Sequence, residues 1–154
     1  MALFRVRRTT SLAPSEAWRR LTDWPRHGDA VPLTRVTVTT PPPAGPGTEL
    51  VARTGIGPLA FDDRMEVTVW RPPREGGGGR CRLEKRGRLV RGWAEIEVAP
   101  DPGGAGRTLI GWHEELRLPL PLPRPVDGLL ARVARRAFAR AVDRLLGDGT
   151  AGVP

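Results

Sequence analysis

The sequence predicts an α+β fold in which a curved antiparallel sheet of seven strands wraps around a long C-terminal helix, with two short helices after the first strand. Three observations predict it. Apolar and polar residues alternate in strand-length segments over most of the chain, and clusters of Gly and Pro separate those segments. Helical period occurs only just after the first segment and again over residues 126–146. Most connections between the middle segments are tight turns, too short for the crossovers of about a dozen residues that parallel strands need.

Residues 3–10 alternate, with Phe4 and Val6 on one face and Arg5 and Arg7 on the other. Ala17, Trp18 and Leu21 then give a short helix its apolar side, with Pro14 or Ser15 near its start. Trp24-Pro25-Arg26-His27-Gly28-Asp29 breaks that helix; Gly28 permits unusual dihedrals, and a turn or second short helix follows. Residues 34–40 set Val36 and Val38 against Arg35, Thr37 and Thr39, and residues 48–54 form the next strand. Residues 61–70 place Phe61, Met65, Val67 and Val69 on one face. Residues 80–90 carry Cys81 and Leu83 on one side, with a bulge assigned to Gly87, where the alternation loses step. Residues 93–98 set Ala94, Ile96 and Val98 against Trp93, Glu95 and Glu97. In residues 107–118, Ile110, Trp112, Glu114, Leu116 and Leu118 share one face, and Gly111, His113, Glu115 and Arg117 the other. The proline-rich stretch 119–125 runs extended into the final helix. There Val126, Leu130, Val133, Ala137, Ala141 and Leu145 follow helical spacing, Leu129, Phe138 and Leu146 broaden the stripe, and Gly147 closes the helix. Arg132, Arg136, Arg140 and Arg144 line its other side.

These segments make one domain over residues 1–148, followed by a flexible tail over 149–154. Cys81 is the only cysteine, which excludes an intrachain disulfide and a cysteine-based zinc cluster. Carboxylates and histidines show no metal-ligand spacing, so neither metal nor cofactor is expected. No apolar run is long enough to span a membrane, and the first residues lack a signal-peptide pattern, which together predict a cytoplasmic protein with no integral membrane association. The net charge of +8 raises the question of nucleic acid. Every basic residue except Lys85 is an arginine, however, and the arginines are dispersed, without interleaved aromatics on which bases stack. They read as solvated exteriors in the Gly-, Pro- and Ala-rich composition of a GC-rich bacterial genome, and no nucleic-acid partner is expected.

The order strand, helix, helix, six strands and long helix resembles the helix-grip fold of the START and polyketide-cyclase superfamily, SRPBCC, in a member of actinobacterial type. Residue runs carry the same resemblance. Phe4-Arg-Val6 through Ala13-Pro14-Ser15-Glu16-Ala17-Trp18 to Trp24 looks like the superfamily's first strand and Trp-containing helix. Gly47-Thr48-Glu49-Leu50, Met65-Glu-Val-Thr-Val-Trp70-Arg-Pro72-Pro73 and Gly106-Arg-Thr108-Leu-Ile-Gly-Trp112 look like its third, fourth and seventh strands. The resemblance implies a cavity between sheet and C-terminal helix that takes a small hydrophobic molecule such as a lipid or polyketide. It implies no shared catalytic motif.

On that expectation the ligand-binding residues are Phe4, Val6, Ala52, Thr54, Met65, Val67, Leu83, Ile96, Trp112, Glu114, Leu116, Leu130 and Phe138. Glu114 stands out among them because it sits on an apolar strand face, where desolvation favours a general acid. Arg8 continues the face of Phe4 and Val6, and Asp63 that of Met65; either enters the cavity, or the Arg pairs with an Asp. His27 rims the mouth, with Asp29 two residues on, whereas His113 points outward. Three functions remain open: a carrier or binder of a hydrophobic metabolite, a cyclase or aromatase using Glu114, His27 or Arg8, and a ligand-free interaction module. The oligomeric state is a monomer or a homodimer.

Overall fold

The computed structural model describes residues 1–104, 106–119, 124–147 and 151–152. β1 (Ala2–Thr10) leads into α1 (Pro14–Leu21) and α2 (Trp24–Ala30). There follow β2 (Thr34–Val38), β3 (Glu49–Thr54), a 3-10 turn (Gly57–Leu59), β4 (Phe61–Arg71), β5 (Gly79–Arg86), β6 (Arg91–Pro100) and β7 (Thr108–Arg117). α3 (Arg124–Leu146) and the two-residue β8 (Ala151–Gly152) complete the order. The strands form one antiparallel sheet in the order β2-β3-β4-β5-β6-β7-β1-β8. β8 lies within the stretch expected as a tail and pairs Ala151 with Thr9 and Gly152 with Arg8; the rest of 149–154 lies outside the described residues. So do residues 120–123 of the proline-rich stretch expected to be extended, and α3 is already helical at residue 124.

Period two decides which side of the sheet faces inward. Phe4 and Val6 of β1, Cys81 and Leu83 of β5, Ala94, Ile96 and Val98 of β6, and Ile110 and Trp112 of β7 are all buried, and they form one core with Ala17, Trp18 and Leu21 of α1. Each fully buried aliphatic side chain contributes roughly 1.5–3 kcal/mol by leaving water. α1 begins with Pro14, whose missing N–H is no loss in a first turn. Glu16 sits in that turn beside Arg19 and Arg20, whose hydrogen bonds hold its carboxyl down at about 2. α3 ends where the Gly147 N–H donates to the Asp143 carbonyl at a φ of +80°, a conformation that favours glycine.

Four readings are corrected. The residues that were to break the first helix are themselves α2. Gly28 lies inside it and is needed for space: a Cβ there would stand 3.1–3.3 Å from the β2 backbone, on which α2 packs. The irregularity assigned to Gly87 is on β4 instead, where the register slips between Val67 and Val69. Beyond that bulge Trp70, not Val69, turns inward and stacks edge-on against Trp18 at 5.1 Å. Gly87 only opens the turn between β5 and β6. On α3 the inward stripe runs through Leu130, Ala134, Phe138, Ala141, Val142 and Leu145, with Leu146 buried beside it, while Val126, Leu129 and Val133 are exposed, because they lie on a different face of the helix.

Candidate functional site

The two ends of the sheet are filled differently. At one end α1 and the C-terminal half of α3 close over β1 and β6 with Trp18, Leu21, Ala141, Val142 and Leu145. At the other, toward the β3–β4 and β5–β6 connections and the start of α3, the concave face stays open as a cavity of about 310 Å³. That volume lies at the lower end of small-molecule sites, roughly 300–1,000 Å³. Apolar side chains dominate its wall: Val36, Leu50 and Ala52 from β2 and β3, Phe61 and Met65 from β4, Leu83 and Ala94 from β5 and β6, and Leu130 and Phe138 from α3. Leu118, 39% exposed, marks the mouth.

One side of the cavity is aromatic. Trp24 packs on His27 at 5.4 Å, His27 on Trp112 at 5.6 Å, Trp112 on Phe138 at 5.5 Å, and Phe138 on Phe4 at 5.3 Å. The tilted rings pack on one another, and Trp24, His27, Trp112 and Phe138 face the cavity while Phe4 backs them from the core. His27 Nε2 lies 2.9 Å from the Leu21 carbonyl. A carbonyl only accepts, so Nε2 carries the proton. Burial pushes the His27 pKa below its ordinary value, against smaller opposing effects of the Leu21 hydrogen bond and Asp23. The ring is therefore neutral at pH 7, with Nδ1 holding a lone pair.

Apart from His27 and the hydroxyls of Thr34 and Thr54, which lie 2.9 Å from each other, the polar content is concentrated on three strands. Lys85 of β5 has its Nζ 2.5 Å from Asp63 Oδ2 of β4 and 3.1 Å from Glu114 Oε1 of β7. Its side chain is 3% exposed, that of Glu114 1% and that of Asp63 13%. The Trp112 Nε1–H donates to Glu114 Oε2 at 3.0 Å, and Met65 Sδ stands 3.6 Å from Nζ. β6 makes this reach possible. It lies between β5 and β7, and at this level it carries Gly92 opposite Lys85 and Ala94 opposite Glu114, so no bulky side chain separates ammonium from carboxylate. Burial alone would lower the Lys85 pKa; the charges of Glu114 and Asp63 outweigh it and hold the ammonium above lysine's ordinary range. Among the described residues, two polar atoms of the wall have no partner, Asp63 Oδ1 and Trp24 Nε1.

Of the sequence-predicted residues, the structure brings Ala52, Thr54, Met65, Leu83, Trp112, Glu114, Leu116, Leu130 and Phe138 to the cavity wall, together with His27. Phe4, Val6, Val67 and Ile96 share the concave face but do not line the cavity, since they lie in the packed core. Arg8 is not in the cavity either: its guanidinium pairs with Asp143 of α3, Nε to Oδ1 at 2.6 Å, and donates to the Arg7 carbonyl. Asp29 is exposed on α2 and no pair with His27 forms. Lys85 was missed. Its signals were its parity with Cys81 and Leu83 and its standing as the only lysine in an arginine-rich chain.

On the convex face Glu95, Glu97 and His113 place ligand atoms within 4.8 Å of one another, a grouping that cross-strand pairing creates and linear spacing does not show. Arg80 already holds Glu95 at 2.7 Å and Arg82 holds it at 3.4 Å, so the grouping belongs to a network of ion pairs. Arg82 also lies over Trp93 at 4.4 Å. Among the described residues, no helix is long and apolar enough to cross a membrane.

Comparison with known proteins agrees with this architecture. The family model described as polyketide cyclase / dehydrase and lipid transport matches residues 1–147. No curated protein matches the chain. Among solved structures, a START superfamily protein from Mycobacterium smegmatis is similar with a TM-score of 0.73 at 13% identity, over 95% of this chain and 97% of that one. The protein TTHA0849 from Thermus thermophilus is similar at 0.64 and 14%, over 94% and 93%. The Zhui aromatase/cyclase from Streptomyces sp. R1128 is similar at 0.60 and 15%, over 95% and 93%. At these identities the likeness is one of fold.

Proposed function

We propose, for a chain that belongs to the polyketide cyclase / dehydrase and lipid transport family, that it binds a small, mostly apolar metabolite between the sheet and α3. The observation that carries this is the open cavity of about 310 Å³. Met65, Trp112 and Phe138 line it without filling it, which weighs against a ligand-free interaction module. Affinity comes from apolar burial, and the polar groups of β4, β5 and β7 orient the ligand's polar end.

N-phenyl-1-naphthylamine, a neutral dye that fluoresces in apolar surroundings, tests the proposal. Saturable binding of one dye per chain is expected, and Ala52→Phe, which fills the cavity from β3, abolishes it while the fold survives. Absence of saturable binding, or binding unchanged in that variant, refutes the proposal.

A second reading is cyclase-type chemistry in the same cavity, and the neutral His27 favours it: a half-buried imidazole with Nδ1 unprotonated is a competent general base for a carbon acid held on the aromatic wall. Loss of turnover of a poly-β-ketone substrate in His27→Gln, with dye binding retained, supports it. Turnover unaffected removes His27 from the chemistry.

A further inference from the structure

We infer that the cavity is selective in charge: it takes a ligand whose polar end is a hydrogen-bond donor, an alcohol or an amine, and rejects a carboxylate. The inference rests on the cavity being a ligand site and names the class of ligand. Each polar group on the ion-paired side of the wall has a fixed number of hydrogen-bonding positions, and their use can be followed atom by atom. The Lys85 ammonium has three protons and three neighbours to take them, Asp63 Oδ2 at 2.5 Å, Glu114 Oε1 at 3.1 Å and Met65 Sδ at 3.6 Å. It has no strong donor left for a ligand anion. Glu114 is engaged at both oxygens, by Lys85 and by the Trp112 Nε1–H. What remains unsatisfied there is an acceptor, Asp63 Oδ1, buried and without a partner among the described residues, on a carboxyl group that lines the cavity. A second acceptor is His27 Nδ1, unprotonated because Nε2 donates to the Leu21 carbonyl, on a ring that lines the cavity.

The charges agree with the hydrogen bonds. Two carboxyl groups face one ammonium, and among the described residues no arginine lines the cavity. A ligand carboxylate would lose its hydration without gaining a free cation and would add a third acidic group to the cluster. A hydroxyl or ammonium group instead gives Asp63 Oδ1 the donor it lacks, and a buried acceptor left unsatisfied is costly. The unpartnered donor on the wall, the Trp24 indole N–H, is uncharged and cannot balance an anion. The molecule as a whole carries +8, a field that draws anions from a distance. Selectivity for cations over anions therefore has to arise locally, which makes it readable.

The test displaces N-phenyl-1-naphthylamine from the full chain at pH 7 with decylamine and decanoate below their micellar concentrations and with decanol below its solubility limit. Decylamine and decanoate have equal chains and opposite charge, so their ratio reads the sign of the cavity. Decylamine and decanol are each expected to displace the dye at concentrations at least about tenfold lower than decanoate, equivalent to about 1.4 kcal/mol. In Asp63→Asn the amine-to-carboxylate ratio is expected to fall below about threefold. Decanoate within threefold of decylamine on the unaltered chain overturns the inference, and this result needs no variant to fold. A ratio unchanged in a folded Asp63→Asn chain overturns the role of Asp63. Failure of the dye itself to bind overturns the ligand-site reading and this inference with it, whereas equal displacement by the two ions leaves the ligand site standing and removes only the selectivity.

Discussion

Replacing Lys85 by Met keeps the length of the side chain and removes the cation that stands between Asp63 and Glu114. At an effective dielectric constant of about 20, each of its contacts, at 2.5 and 3.1 Å, is worth roughly 5–7 kcal/mol of attraction, and desolvation of the ions offsets most of that. The net cost of the substitution is set by what stays behind: two buried carboxyl groups without a counter-ion. Removing one partner of a buried pair costs about 3–5 kcal/mol, and the residual 13% exposure of Asp63 points to the lower end, about 3 kcal/mol. For a chain of this length that corresponds to a fall in Tm of about 6–12 °C. Urea unfolding at pH 7 measures it directly. The triple variant Asp63→Asn, Lys85→Met, Glu114→Gln, which leaves no charge, is expected to recover most of the loss. A Lys85→Met chain that loses less than about 1 kcal/mol at pH 7 would refute the reasoning, because it would mean that water, and not Lys85, solvates the two acids.

Two further outcomes follow from particular atoms. Gly92 has a φ of +126°, and a Cβ there would sit 2.0 Å from the Glu115 carbonyl oxygen, so Gly92→Ala is expected to cost at least about 2 kcal/mol by denaturant titration and to loosen the Lys85–Glu114 crossing; an unchanged midpoint contradicts it. Burial holds the His27 pKa below its ordinary 6.5, so as pH falls through 6.5 the unfolded chain takes up a proton that the folded chain refuses. Stability therefore declines below pH 6.5, and His27→Gln is expected to flatten that slope in urea titrations at stepped pH.

Much of this architecture was legible because period two survives along β7. Ile110, Trp112, Glu114 and Leu116 alternate without interruption, and their inward parity follows from the chain alone. Parity failed where the backbone breaks step. The slip between Val67 and Val69 carries no residue signature, since neither glycine nor proline stands there, and it exchanged Val69 for Trp70 on the inner face. Sharing a face also did not settle what lines the cavity. Phe4, Val6, Val67 and Ile96 face inward with the rest, but where α1 and the second half of α3 come down on the sheet is a tertiary choice, and it makes them core. α3 shows the same limit from the other side: its exposed Val126, Leu129 and Val133 are as apolar as its buried turns.

Lys85 is the most instructive omission, because the physical chemistry that hides it in the sequence is also what makes it informative in the fold. A lysine is assigned to solvent by default, since burying an unpaired ammonium costs more than a single strand can return. The default fails only if two acids converge on it, and here they come from residues 22 positions before it and 29 after. That convergence requires β4, β5, β6 and β7 to be in register and requires small residues on β6 at the crossing, conditions no local window contains. Such a crossing can change without touching the core, because the polar cluster sits at the open end of the sheet and the packed hydrophobic residues at the other. The cluster, and not the apolar wall, is therefore where ligand preference is expected to be written.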